Sequence, residues 1–183
     1  MASESDTAVT FLRDCEVALV PSGETGIIPK GSEGAITQAL GGSYTINLWA
    51  NLFRVDGSNA DAIGREPDPP PTLPDLATDE DVEKTIWEQL QLCYDPEIPV
   101  NVVELGLVYE CDIQKLAEDR RRVHIRMTLT APSCGMGDIL AYDVKTKVSR
   151  VPTVADAEIE IVLDPPWTQD MMSEAAQLET GMI

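Results

Sequence analysis

Between Glu66 and Ala77 the chain carries Pro67, Pro69, Pro70, Pro71 and Pro74. Proline lacks a backbone N–H, holds φ at about −65° and pushes the residue before it out of helical conformation. A run this dense excludes helix and favours an extended, semi-rigid polyproline spacer. It divides the 183 residues into an N-terminal domain over 1–65, a linker over 66–77 and a C-terminal domain over 78–183.

The N-terminal stretch alternates short apolar runs with turn residues. Residues 15–20 precede Pro21-Ser22-Gly23, Ile27-Ile28 precede Pro29-Lys30-Gly31, and residues 35–40, 44–49 and 52–55 follow, with Gly41-Gly42 between the first two. Short strands with closely spaced turns predict a small all-β, barrel-like domain, and Gly41-Gly42 is its clearest hairpin signal. Cys15 alternates with Val17 and Leu19 and reads as a core residue.

Beyond the linker the period changes. Thr78-Asp79-Glu80-Asp81 resembles a capping box, and Val82, Ile86, Leu90 and Cys93 recur on one helical face. Two prolines in Asp95-Pro96-Glu97-Ile98-Pro99 stop the helix, and a strand follows from about Gly106 to Ile113 with Leu107, Tyr109, Cys111 and Ile113 on one face. Val123, Ile125, Met127 and Leu129 mark a second strand. The intervening Arg120-Arg121-Arg122 beside Glu118-Asp119 reads as a solvated hairpin tip. Asp138 is the expected N-cap of a helix carrying Leu140, Val144, Val148 and Val151 inward. Ala157, Ile159, Ile161 and Leu163 define a third strand, Asp164 to Thr168 ends it and starts a short helix, and Met171, Ala175 and Leu178 form that last helix's apolar face. The order helix, strand, strand, helix, strand, helix predicts an α+β layer with helices over one face of a three-stranded sheet.

Charge narrows the function. The net charge is −19, with nine acids against four bases up to Glu66 and 23 against nine after it. Such a field repels nucleic acid. No apolar run approaches the roughly 18 residues of a membrane span, and the first ten residues have no secretory pattern, so a soluble cytoplasmic protein is expected. Cysteines at 15, 93, 111 and 134 form no CxxC pair and signal neither a disulfide framework nor a self-contained zinc site.

Cys134 differs from the other three. It stands in Thr130-Ala131-Pro132-Ser133-Cys134-Gly135-Met136-Gly137, a strand end that turns into a helix start, where unpaired N–H groups and the helix dipole favour thiolate over thiol. The only histidine, His124, lies about 20 Å back along its strand from Thr130. A cysteine protease-like dyad needs a base within hydrogen-bond reach, and none is evident. The acidic loop with Asp95, Glu97 and Glu104, the Cys134 turn and the Asp164–Trp167 turn are three loops of one sheet that are able to converge.

Asp95-Pro96-Glu97-Ile98-Pro99 with Leu105-Gly106-Leu107-Val108, Thr128 to Cys134, and Asp164-Pro165-Pro166-Trp167 together resemble the family of small α+β domains shared by SufT and the cytosolic iron-sulfur targeting adaptors. The resemblance covers about Thr78 to Leu178. Cys134-Gly135-Met136-Gly137 and the segment Thr37 to Ser43 are similar to the SufT branch. Gly135 departs from the proline that usually follows the motif cysteine in other branches, and the cysteine-rich zinc segment of the ring-oxygenase accessory proteins is lacking. The resemblance implies an auxiliary factor in iron-sulfur protein maturation, not a turnover enzyme. It places the functional thiol on Cys134 and the acid of the first block on Asp95, with Glu97 beside it.

Two readings follow. As a carrier, the chain would hold a labile iron-sulfur cluster or iron on Cys134. A cluster takes four ligands, mostly thiolates, so a symmetric homodimer would add a second Cys134, and Asp95, Glu97, Glu104 or an exogenous thiol would complete the set. As a cluster-free adaptor, it would grip assembly proteins and client apoproteins through its acidic surface and the Cys134 loop. A thiol enzyme is the third and weakest reading, for want of a base.

Overall fold

The computed structural model describes residues 7–131 and 135–181, and the chain divides into two units, Met1–Pro70 and Pro71–Ile183, with separate hydrophobic cores. In the first unit the alternating runs form β1 (Ala8–Thr10), β2 (Cys15–Val20), β3 (Thr25–Ile28), β4 (Glu33–Leu40), β5 (Ser43–Leu48) and β6 (Asn51–Val55). They make one antiparallel sheet in the order β1-β4-β5-β6-β2-β3. A flat sheet would set β3 and β4 about 19 Å apart, and the connection through Pro29–Ser32 reaches only about 18 Å when fully stretched. The sheet curls instead. Val9 of edge strand β1 and Ile28 of edge strand β3 enter the same core, with Phe11, Cys15, Val17, Ile46 and Val55.

Gly41 and Gly42, at φ 56° and 77°, form the β4–β5 turn. The β5–β6 turn has the same left-handed backbone at Trp49 and Ala50 (φ 52° and 59°), which no glycine announces. Strand β1, three residues long, carries too little pattern to be read from sequence. The proline-rich run forms neither helix nor strand. The Asp68 N–H donates to Gly57 O in the first unit (2.9 Å), and Leu73 packs on the core of the second.

The second unit begins with α1 (Asp79–Leu90), where the Thr78 hydroxyl accepts from the Asp81 N–H and the Asp81 carboxylate accepts from the Thr78 N–H, a complete capping box. Next come β7 (Val108–Lys115), β8 (Arg121–Met127), α2 (Gly137–Ser149), β9 (Val154–Ile161) and α3 (Glu174–Thr180), the predicted α+β order. In the sheet order β7-β8-β9, β7 and β8 are antiparallel and β8 and β9 parallel. Val123, Ile125, Met127 and Ala157 turn toward Val82, Ile86 and Leu90 of α1 and Leu140, Val144 and Val148 of α2. The opposite face is a charge ladder, with Arg122 3.3 Å from Asp156 and Arg126 3.0 Å from Glu110.

Several expectations are corrected. Arg121 is no solvated tip. It is 2% exposed, in phase with the inward row of β8, and its guanidinium donates to Asp79 Oδ1 (2.6 Å) and Thr153 Oγ1 (2.8 Å). The N-cap of α2 is Met136, with Asp138 in the first turn. Leu163 lies past the end of β9 and is exposed, because the strand stops at Ile161. The Asp164–Thr168 turn does start a short helix, but only a 3-10 turn over Gln169–Met171, and Ser173 caps α3. The last helix turns Ala176 inward behind Met172, and Leu178 faces solvent; with only seven residues, a shift in its start rotates the predicted face away. Cys111, expected in the core from its place on the Leu107–Ile113 strand face, is half-buried and packs against that core.

Candidate functional site

The loop after α1 is built on two side-chain caps in succession. Asp95 Oδ1 accepts the N–H groups of Glu97 (2.9 Å) and Ile98 (2.8 Å). Asn101 Oδ1 does the same for Val103 (3.1 Å) and Glu104 (2.9 Å). These short polar side chains replace backbone partners that proline-interrupted chain cannot supply. The Asp95 N–H closes the turn on Val100 O (3.1 Å).

Asp95 also reaches across to the second loop, where the Thr130 hydroxyl donates to its Oδ2 (3.3 Å). The carboxylate is only 4% exposed. Burial raises its pKa above the ordinary 3.8, against the lowering effect of the Ile98, Glu97 and Thr130 hydrogen bonds. Glu97 stands beside it, exposed.

The third loop is tied to the first. The Trp167 indole N–H donates to Leu105 O (2.7 Å), and the Tyr109 hydroxyl donates to Pro165 O (2.7 Å). The Ser173 N–H donates to Glu104 O (2.9 Å), and its hydroxyl bonds the Glu104 carboxylate. Gly106, at φ 69°, lies so close to this segment that a Cβ would fall 2.2 Å from Met171 O. The three loops expected to converge therefore do so in their described parts: Asp95 with Thr130, and Leu105 with Trp167.

Cys134 lies outside the described residues. The nearest described segments on either side are both anchored. Thr130 is held by Asp95, and Gly137 sits against Leu129, where a Cβ would be 2.9 Å from Leu129 Cδ1. α2 opens at Met136, whose own side chain makes no capping hydrogen bond.

The remaining thiols are of another kind. Cys15 and Cys93 are buried, burial raises the Cys15 pKa, and burial followed by Glu83 and Asp112 pushes Cys111 up to about 11. His124 lies 3.4 Å from Glu160 on the solvent face of the sheet. Among the described residues no group of three His, Cys, Asp or Glu is placed to hold a metal ion, and no helix is long and apolar enough to cross a membrane. Asn101, Thr130 and Ser173 escape a sequence reading that looks only for charge and thiols. The repeated spacing of Asp95 and Asn101 before paired N–H groups is the signal for the first of them.

Residues 83–161 match the family described as Iron-sulfur cluster assembly protein. The chain is 43% identical over 108 residues to an Fe-S protein maturation auxiliary factor of Porphyromonas gingivalis, a match covering 59% of this chain and 95% of that protein. It is 38% identical to the maturation auxiliary factor YitW of Bacillus subtilis, over 57% of this chain and 98% of that protein. It is 40% identical to the maturation auxiliary factor SufT of Staphylococcus aureus, over 48% and 96%. The chain belongs to this iron-sulfur cluster assembly family, among its SufT-type maturation factors.

Proposed function

We propose that this member of the SufT-type iron-sulfur maturation factors acts as a carrier, holding a cluster or iron as cargo on the Cys134 thiolate while it passes from assembly proteins to client apoproteins. The observation that supports this most is the Thr130–Asp95 hydrogen bond (3.3 Å). It ties Thr130, four residues before Cys134, to a buried, turn-forming carboxylate in the loop after α1.

In this reading Cys134 is the metal-contacting residue. Asp95 holds the loop and offers the oxygen it shares with Thr130, and exposed Glu97 adds a second carboxylate at the rim. One thiolate and hard oxygen donors make a poor permanent site for iron-sulfur cargo, which prefers four ligands that are mostly thiolate. A second copy's Cys134, or thiols of the donor or client, complete the set during hand-over. Weak holding suits a donor, and the role requires no turnover chemistry.

Anaerobic reconstitution with iron and sulfide tests this, comparing wild type with Cys134→Ala by visible absorption and by iron and sulfide counts per chain. The carrier reading expects cargo on the wild type and none on the variant, with both folded. Absence of cargo from both would sink it and favour the adaptor, in which the acidic surface and the Cys134 loop grip assembly and client proteins without a cluster.

A further inference from the structure

We infer that the open edge of β9, with the groove beside it, is a docking site for an extended basic segment of a partner protein, which pairs with β9 as an added strand. β9 is the last strand in its sheet, and its outer side has no strand partner among the described residues. The Val162 N–H donates inward to Met127 O (2.8 Å). Main-chain groups alternate sides along a strand, so those of Ile159 and Ile161 point outward. A groove of about 460 Å³ runs alongside, lined by Asp138, Ala141, Tyr142 and Lys145 of α2 and by residues 156–159 of β9. Ala141 and Ala157, small residues on its two walls, leave it unfilled.

Charge selects the occupant. Proteins blunt exposed strand edges with charge, most often lysine. Here Asp138, Asp156 and Glu158 line the groove with Lys145, and Asp156 is 3.3 Å from Arg122, so acids still outnumber bases around it. A second copy paired antiparallel through β9 would set these acids against acids, which is unfavourable for directly opposed residues. A segment carrying lysine or arginine meets opposite charge, which steers and orients its approach. Strand addition then supplies main-chain hydrogen bonds for affinity and side-chain pockets on alternate residues for selectivity. The groove ends at Asp138, in the first turn of α2 and four residues along the chain from Cys134. What docking achieves there rests on the carrier reading: it brings the partner's chain to the cargo thiol.

The test uses the full chain and a synthetic peptide of alternating lysine and valine, with alternating glutamate and valine as control. Hydrogen exchange of the Ile159 and Ile161 amides and a binding titration are the readouts. The lysine peptide is expected to slow exchange at both amides and the glutamate peptide to leave them unchanged. Ala141→Trp, neutral and groove-filling, and the double variant Asp138→Lys/Glu158→Lys are each expected to weaken binding about tenfold. Cys134→Ala is expected to bind like wild type, so loss of docking and loss of cargo are read separately. No binding, protection only elsewhere, or wild-type affinity in folded forms of these variants would overturn the proposal. So would a concentration-dependent dimer that protects the same amides without peptide.

Discussion

At one end of the three-stranded sheet Arg121 is a buried charge, and at the other Asp95 is one. Arg121 is neutralised by other side chains: Asp79 at the start of α1, Asp119 in the β7–β8 connection (3.4 Å) and the Thr153 hydroxyl, with Lys115 3.5 Å from the same Asp79. Asp95 is satisfied by two backbone N–H groups and one hydroxyl, with no cation on it among the described residues. The first arrangement joins a helix start, a hairpin and a strand start by charge. The second uses a carboxylate to shape a loop and hold its neighbour. An ion-paired end is a clamp; a loop end organised by backbone amides leaves its remaining polar groups available for a partner.

Substitutions separate the two ends. The largest effect is expected at the loop end from Gly106→Ala, where the left-handed backbone and the 2.2 Å approach to Met171 O together cost about 3–4 kcal/mol. Denaturant unfolding followed by Trp167 fluorescence checks it, and a wild-type midpoint would refute the close packing of the loops. Arg121→Ala should cost about 3 kcal/mol, from the emptied space and the lost hydrogen bonds, because exposed Asp79 can rehydrate. Its signature is faster exchange at Val123 and in the first turn of α1, with the Asp95 loop unchanged.

The smallest effects belong to Asp95 itself. Asp95→Ala strands two N–H groups and should cost about 2 kcal/mol, whereas Asp95→Asn keeps the acceptor toward Glu97 and Ile98 and should cost less than about 1 kcal/mol. The pH responses of the two ends have opposite signs. The folded pKa of Asp95 is raised by burial above 3.8, so its end is most stable when the carboxyl is protonated and loses that contribution as pH rises through the raised value. Asp79 is lowered, first by its Arg121 hydrogen bond and then by Lys115, and Asp81 by the Thr78 N–H. Their contribution is complete above 3.8 and is lost as pH falls through the depressed values. On acidification, exchange at Glu97 and Ile98 should slow first, and the start of α1 should loosen only at lower pH. Asp95→Asn should abolish the first change alone. The same order in wild type and variant would show that Asp95 does not govern its loop.

Much of the second unit was legible because its signals are local. The Thr78–Asp81 box and the apolar stripes of α1 and α2 depend on residues three and four apart, and β8 on residues two apart. The error at Arg121 shows where such reading stops. Three arginines beside acids resemble a solvated tip, yet Arg121 shares the parity of Val123, Ile125 and Met127, and following that parity would have placed it inward. Its burial is tolerable only because Asp79 and Thr153, far off in sequence, meet it there. Trp49-Ala50 escaped notice for the complementary reason, since the turn uses a backbone conformation that these residues do not advertise.

By itself the sequence determined the alternation of helix and strand, the break at the prolines, the capping of α1 and the family, all of which rest on short-range periodicity or on ordered motifs. Only the tertiary structure decided that Asp95 meets Thr130, that Trp167 meets Leu105, that Arg121 is enclosed and that β9 stands at the end of its sheet among the described residues. Those outcomes depend on which distant segments the packed sheet brings within hydrogen-bond reach, a property of three-dimensional closure that no local pattern encodes.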